Sequence, residues 1–375
     1  MTTRNTALSF SEEQAMLLDS AADFCRDKST ISAVRELLTS GSGYNPQVWD
    51  EMVALGWTGI AIPEKYGGFD MGIGSIVPVV ESMGKSLLCT PLISTTLAAQ
   101  ALLRGGSEAQ RQRWLPAVMA GSIGTLALLD NEDWGANLCG VSASGEGQEL
   151  LLTGTKRLVA DAMVADFFVV SINHRGVPAL ALVEASQLTD GAISANTLVD
   201  ETKRAGSVDF SGVIVSSDAL LPNSEQALRD VRLLGALLLA AEATGSSAAT
   251  LDCIVGYLTT RIQFGRLIGS YQSLKHPTVD LLLQIDDARN LNYHAATLTG
   301  SEPLDREAEI ACRMAKAQAT ETMLFAGDRA VQFHGGMGFT YDCDAMLYIR
   351  RAQWTQHQFG DAQHHRLHLA KLLLD

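Results

Sequence analysis

The sequence has little that would suit it to nucleic acid, a bilayer or an oxidising compartment. It carries 28 Lys and Arg against 42 Asp and Glu, a net charge of -14. That balance supplies no basic footprint for a phosphate backbone and argues against nucleic-acid binding. It also gives no general attraction for an anionic ligand, so any phosphate must be met by a local cluster. The six cysteines, Cys25, Cys89, Cys139, Cys253, Cys312 and Cys343, form no CxxC pair. Their scatter fits a reduced, cytoplasmic protein. Residues 1–10 lack a basic stretch followed by an apolar one, so no secretory signal is expected. The most apolar run, Leu233 to Ala241, is bounded by Arg232 and Glu242. It is too short to span a bilayer and predicts a buried helix, with no membrane partner. There is no GxSxG elbow and no Ser-His-Asp order, so hydrolase chemistry has no support. Internal repeats and low-complexity tracts are also missing.

What is present is a large apolar fraction, 47% of 375 residues, enough for a sizeable core in two or three domains. Ser11-Glu12-Glu13-Gln14 and Ser107-Glu108-Ala109-Gln110 have the capping-box pattern. Asn45-Pro46 opens a helix that stops at Gly56, a candidate C′ glycine. Helical spacing resumes from Ile76 to Lys85 and from Ile93 to Leu103. After Gly121 the character changes. Short apolar runs at Thr125–Leu129, Glu149–Thr153, Phe167–Ser171, Ala179–Val183 and Val213–Val215 are separated by turn residues, which predicts a compact, barrel-like β domain. From about Ser224 the pattern is helical to the end. The expected domains are 1–121 (helical), 122–223 (β) and 224–375 (helical bundle).

Two segments of the last region carry the most information. The first is Arg261-Ile262-Gln263-Phe264-Gly265-Arg266, running on to Gln272. The second is Gln332-Phe333-His334-Gly335-Gly336-Met337-Gly338. The glycine segment does not follow a strand in a βαβ unit, so a Rossmann reading fails on context. Together the segments resemble the acyl-CoA dehydrogenase family, as do Pro63-Glu64-Lys65-Tyr66-Gly67-Gly68 and the stretch from Gly106-Ser107-Glu108 to Trp114-Leu115-Pro116. The resemblance covers nearly the whole chain. It implies a mainly α fold with a helical N-terminal domain, a β-barrel middle domain and a C-terminal four-helix bundle. It further implies FAD as cofactor, an acyl-CoA substrate, an electron-transfer flavoprotein as acceptor, and a homo-oligomer or heterotetramer. In such proteins the Arg-Phe-Gly segment reaches across a subunit interface to a flavin pyrophosphate. Here those roles fall to Arg261, Phe264, Gly265 and Gln272, with Gln332, Gly335 and Gly336 approaching the same dinucleotide. A guanidinium suits a diphosphate because its fork donates two hydrogen bonds at once.

The same resemblance exposes departures. Relatives carry a catalytic Glu in one of two places, and the matching positions here are Phe359 and Gly235. Glu242 lies two helical turns beyond Gly235 on roughly the same face. Burial would raise its pKa and make it a substitute base; otherwise it is a structural carboxylate. Asp361 is a second acid nearby, read as a loop residue or a cap before it is read as a base. At the flavin ring, relatives carry an aromatic residue and a Thr where this chain has Leu158 and Ala160, in Lys156-Arg157-Leu158-Val159-Ala160-Asp161. The acids Asp130, Glu132 and Asp133 would sit poorly beside an anionic cofactor. His364, His365 and His368 lack a supporting Cys or acid constellation, so no metal is expected and the helix is read as solvated or CoA-facing. Arg350 and Arg351 are read as structural ion-pair formers.

The resemblance implies acyl-CoA α,β-desaturation, and the split between kept and lost motifs predicts this chain as one subunit of a heteromeric enzyme, completing a partner's flavin site. The alternatives are a self-sufficient homo-oligomer with a relocated base, and a non-enzymatic assembly protein of the same fold.

Overall fold

The computed structural model describes residues 12–131, 133–135, 139–145, 148–300 and 302–374, and of residues 12–15 the backbone alone. The Ser11 capping box lies outside the described residues. Six helices come first: α1 (Glu12–Lys28), α2 (Ile31–Leu37), α3 (Pro46–Ala54), α4 (Val77–Lys85), α5 (Leu92–Gly105) and α6 (Glu108–Met119). Their ends follow local chemistry. The Asn45 side chain accepts from the Gln47 amide at 2.9 Å, and Gly56 takes φ 77° just past the end of α3. Ser107 and Gln110 form the reciprocal box that opens α6.

Among the described residues nine strands follow: β1 (Gly124–Ala127), β2 (Ser142–Ser144), β3 (Glu149–Thr153), β4 (Thr155–Ala160), β5 (Phe167–His174), β6 (Val177–Glu184), β7 (Ile193–Ala195), β8 (Ala205–Asp209) and β9 (Ile214–Ser216). The barrel-like middle takes the form of two sheets. One runs β1-β5-β2-β3-β9 with β6 also on β5, and the other runs β4-β8-β7. A bridge between Leu129 and Arg157 links them, as does the Thr125 hydroxyl, which donates to the Ala160 carbonyl at 2.6 Å. Strands β2, β4, β7 and β8 escaped the sequence because they are short or mixed in polarity. Their pairing comes from neighbours distant in the chain.

The C-terminal bundle is α7 (Ser224–Leu258), α8 (Gln272–Leu298), α9 (Arg306–His334), α10 (Ala345–His357) and α11 (Ala362–Leu374), with a small hairpin, β10 (Ile262–Gln263) and β11 (Arg266–Leu267), after α7. The run read from the sequence is part of this 35-residue α7. Among the described residues α7 is the one helix long and apolar enough to cross a membrane, yet 94% of its apolar window is buried inside the protein. It is the core helix. Gly84 on α4 and Gly245 on α7 permit a close crossing: an added Cβ would meet the Glu242 carbonyl at 2.1 Å and the Glu81 carbonyl at 1.9 Å respectively.

Candidate functional site

Gly235 and Phe359 lie against each other. Gly235 is buried on α7, and a Cβ there would stand 2.6 Å from the Phe359 ring. Phe359 follows the end of α10 in left-handed backbone, at φ 57°, with Gly360 at φ 96°. A phenylalanine held there carries local strain. The buried Lys316 amine stabilises this corner by donating to the carbonyls of Thr355 (3.1 Å), Gln356 (3.1 Å) and Gly360 (2.8 Å). Trp134 packs on the other side of Phe359, ring centroids 4.5 Å apart. Among the described residues the spot is therefore an aromatic plug with no acid. Asp361 serves as a cap, accepting from the His364 amide at 2.8 Å at the start of α11.

Trp134 and Phe359 line two cavities, one on each side. The inner cavity lies among β1, β4, α5 and α7, with Leu158, Ala160 and Leu239 in its wall. Asp161, the one carboxylate on its lining among the described residues, takes φ 55° and accepts from Ser94 Oγ at 2.6 Å. Burial pushes Asp161 up to about 6, against the pull of Ser94 and Lys203. Thr90 also lines the cavity, and its buried hydroxyl has no hydrogen-bond partner among the described residues.

Glu242 does not line that cavity. Its Oε1 meets Lys203 Nζ at 2.6 Å and Arg351 Nη1 at 3.0 Å. Arg351 also holds Asp200 at 2.6 Å and donates to Thr202. The arrangement is a buried network of two cations and two anions tying the β region to α7 and α10. The expected rise is reversed: burial pushes the Glu242 carboxyl up, but Lys203 and Arg351 outweigh it and hold it below the usual range. Such a group is held by two cations through Oε1, while its buried Oε2 has no hydrogen-bond partner among the described residues, and it stands off the cavity lining, so the geometry supports the structural carboxylate over the relocated base. Arg351 is the structural ion-pair former expected. Arg350 pairs with Glu201 and lies over the Tyr341 ring at 4.3 Å.

The outer cavity has a volume of about 400 Å³ and a basic wall. Arg229 and Arg232 come from α7, Arg313 from α9, and His364, His368 and Lys371 from α11. The spacings i, i+3 on α7 and i, i+4, i+7 on α11 put each set on one face. That periodicity was readable, but the convergence of three helices was not. Burial, joined by the charges of Lys316 and Arg313, pushes the His365 imidazole down to about 2, so it is neutral. Among the described residues no group of three or more His, Cys, Asp or Glu gathers to hold a metal.

The cofactor candidates lie elsewhere, on neither cavity lining. Phe264 and Gly265 form the tip of the β10–β11 hairpin, both with positive φ (52° and 77°), as a type I′ turn requires. Phe264 is 92% exposed. Arg261 is exposed and has no ion pair among the described residues, and Gln272 begins α8. Gln332, Gly335 and Gly336 close α9. The stack of Tyr257 on His334, 4.2 Å between centroids, ties the ends of α7 and α9 together. All seven thus share one end of the bundle. A Cβ on Gly265, Gly335 or Gly336 would meet nothing within 4 Å, so their backbones are open to close approach. A free guanidinium beside exposed glycine backbone suits the ADP half of FAD. The ring half is less suited: Leu158 and Ala160 offer neither a stacking ring nor a hydroxyl. The acidic stretch is milder than expected, because Asp130 is neutralised by Lys156 at 2.6 Å. Asp133 Oδ1 accepts from the Gly135 amide at 2.7 Å, and Glu132 lies outside the described residues.

Comparison with known proteins agrees with this geometry. The model of the acyl-CoA dehydrogenase N-terminal domain matches residues 11–122, and that of the C-terminal domain matches residues 233–374. The acyl-CoA dehydrogenase IpdE2 of Mycolicibacterium smegmatis is 30% identical over 93% of this chain and 95% of its own. Among solved structures, a variant of the Tcur3481-Tcur3483 steroid ACAD is 27% identical with a TM-score of 0.85, covering 97% of this chain and 98% of that one. The ChsE4-ChsE5 complex from Mycobacterium tuberculosis is 25% identical with a TM-score of 0.87, covering 98% of each.

Proposed function

The chain belongs to the acyl-CoA dehydrogenase family of FAD-dependent oxidoreductases, and from that premise we propose that it acts as a subunit of a heteromeric enzyme. In this reading it supplies the ADP side of a partner's flavin site, while its own catalytic position is closed. The observation that carries the reading is the Gly235–Phe359–Trp134 plug, which among the described residues leaves no acid where the reaction needs a base. FAD, when bound, accepts the β-hydrogen of an acyl-CoA thioester as hydride. The residues of this chain then have three tasks. Arg261 would hold the pyrophosphate, Phe264 would pack against the dinucleotide, and Gln272, Gln332, Gly335 and Gly336 would frame it. An electron-transfer flavoprotein is the acceptor, and the assembly is cytoplasmic.

Further support comes from the hairpin tip. An aromatic ring 92% exposed, on strained backbone, is costly in a free chain and sensible at an interface. The names of two similar structures describe paired chains, as this reading requires. The test is co-expression with a related dehydrogenase chain that carries the missing carboxylate. A stable assembly with one flavin per two chains supports the reading. An active assembly of this chain alone, with one flavin per chain, contradicts it.

A further inference from the structure

Lys316 is a buried amine without a counter-ion. It is 0% exposed, and among the described residues no carboxylate lies within ion-pair distance of it. Its partners are the backbone carbonyls of Thr355, Gln356 and Gly360, on the corner between α10 and α11 that presents Phe359. A neutral amine has two N–H bonds to share among those carbonyls and suits such a place. An ammonium there keeps a full charge out of water with dipoles alone to answer it, which is unfavourable. The corner is also under tension, because Phe359 sits in left-handed backbone at φ 57°, at a cost of roughly 1–2 kcal/mol. The ring pair that it holds, Phe359 on Trp134, is the wall between the inner and outer cavities. A change at Lys316 is therefore placed to move that wall.

The surroundings do little to hold a charge on Lys316. Asp361 is the one charge that acts on it among the described residues, and it favours the ammonium. Asp361 is engaged elsewhere, with the His364 amide. The other titratable neighbours are neutral or positive: His365 on α11, with His364 beside it, Arg313 one turn back on α9, and Arg232 of α7 beyond His364. Burial outweighs Asp361 and pulls the Lys316 amine down to about 7 from an ordinary 10.5. We propose that the Trp134–Phe359 wall is an acid-sensitive gate: when Lys316 takes up a proton from solvent, the corner lets the ammonium out to water and the two cavities join. The inference rests on the plug described above and goes beyond it, because closure of the catalytic position becomes conditional. The closed form binds this proton less tightly than a hydrated lysine does. Falling pH therefore favours the open form between about 10 and 7 and no further below 7. Full exchange of the two affinities changes the ratio of open to closed by about a thousandfold.

The test is acrylamide quenching of tryptophan fluorescence in the full chain, between about pH 9.5 and 6.5, where the linkage acts. The quenching constant is expected to rise about twofold or more as pH falls, with most of the rise lost in Trp134→Phe. Lys316→Met removes the proton site and should stay weakly quenched at every pH. Asp361→Asn keeps a capping side chain but removes the charge that favours the ammonium in place, so its rise should be larger. That variant covers the case of an unfolded Lys316→Met chain. Asp161→Asn is the control for the other titrating group on the inner cavity and should leave the rise intact. Quenching that is flat with pH, or stronger at pH about 9.5, would overturn the gate, since either contradicts the linkage. So would a rise that survives Lys316→Met or Trp134→Phe, one that vanishes in Asp161→Asn, or one unchanged or smaller in Asp361→Asn. The flavin content of the chain alone is read separately by absorbance. A chain that is a complete flavoenzyme by itself defeats the heteromeric reading and leaves the gate to stand on the quenching.

Discussion

The Phe359 ring occupies the space into which a side chain at Gly235 would project: a Cβ there would approach it to 2.6 Å. Two positions 124 residues apart in sequence converge on one point, and the chain fills that point with carbon. Gly235→Ala should therefore overpack the site and destabilise the fold by about 1–3 kcal/mol. In a Phe359→Leu background the same change should cost much less, because the two sites are in contact. Chemical denaturation of the four proteins in this cycle measures the coupling. Additive effects would show that the ring does not seal Gly235.

The buried network around Arg351 gives a second expectation. Arg351→Met leaves Glu242 and Asp200 without their shared cation and should destabilise the protein by about 3–5 kcal/mol. Glu242→Gln should leave the turnover of the assembled enzyme essentially unchanged once folding is corrected for. A general base, by contrast, is worth about 10²–10⁴ in rate. Steady-state kinetics of the assembly with this variant separates the two roles.

Much of the fold was legible because it rests on local chemistry. Asn45, Ser107 and Gly56 mark helix ends wherever they occur, and β3 alternates burial residue by residue. The seven candidate cofactor residues were legible as a pattern and lie at one end of the bundle. The charge network was not legible. Asp200, Lys203, Glu242 and Arg351 come from a loop and two helices far apart in the chain, and no periodicity links them. Glu242 was misread for that reason: apolar neighbours in sequence suggested an isolated acid, while its partners arrive from elsewhere. The Trp134–Phe359 wall was hidden in the same way.

Asp161 carries a pH signature. Its folded pKa, raised to about 6, lies above the ordinary value of 3.8, so the folded state binds this proton more tightly. Stability from this group therefore falls as pH rises from about 4 to 6 and stays lower above that range. Lys203 and Glu242 also act on Asp161, Lys203 pulling it down and Glu242 pushing it up. Asp161→Asn keeps the left-handed backbone and removes the charge. Relative to the unaltered protein it should gain about 1–3 kcal/mol at pH 7.5 and nothing near pH 3.5. Thermal melts across pH check the sign. A loss at pH 7.5 would mean that ionised Asp161 is favoured in place.

Arg261→Ala tests the hairpin. In an assembly with a carboxylate-bearing partner it should lower flavin occupancy while leaving the stability of the isolated chain within about 0.5 kcal/mol, since the exposed side chain makes no ion pair in the chain. Flavin absorbance per assembly gives the first quantity and urea denaturation the second. Unchanged occupancy would remove Arg261 from the cofactor site.

The most direct measurement is the visible absorption spectrum of this chain purified alone, after addition of FAD and removal of the excess. A chain with a plugged base position and an apolar ring site should return a spectrum without retained flavin, and should acquire one when its partner chain is added. A bound flavin spectrum from the chain alone would contradict the account and make it a complete enzyme in its own right.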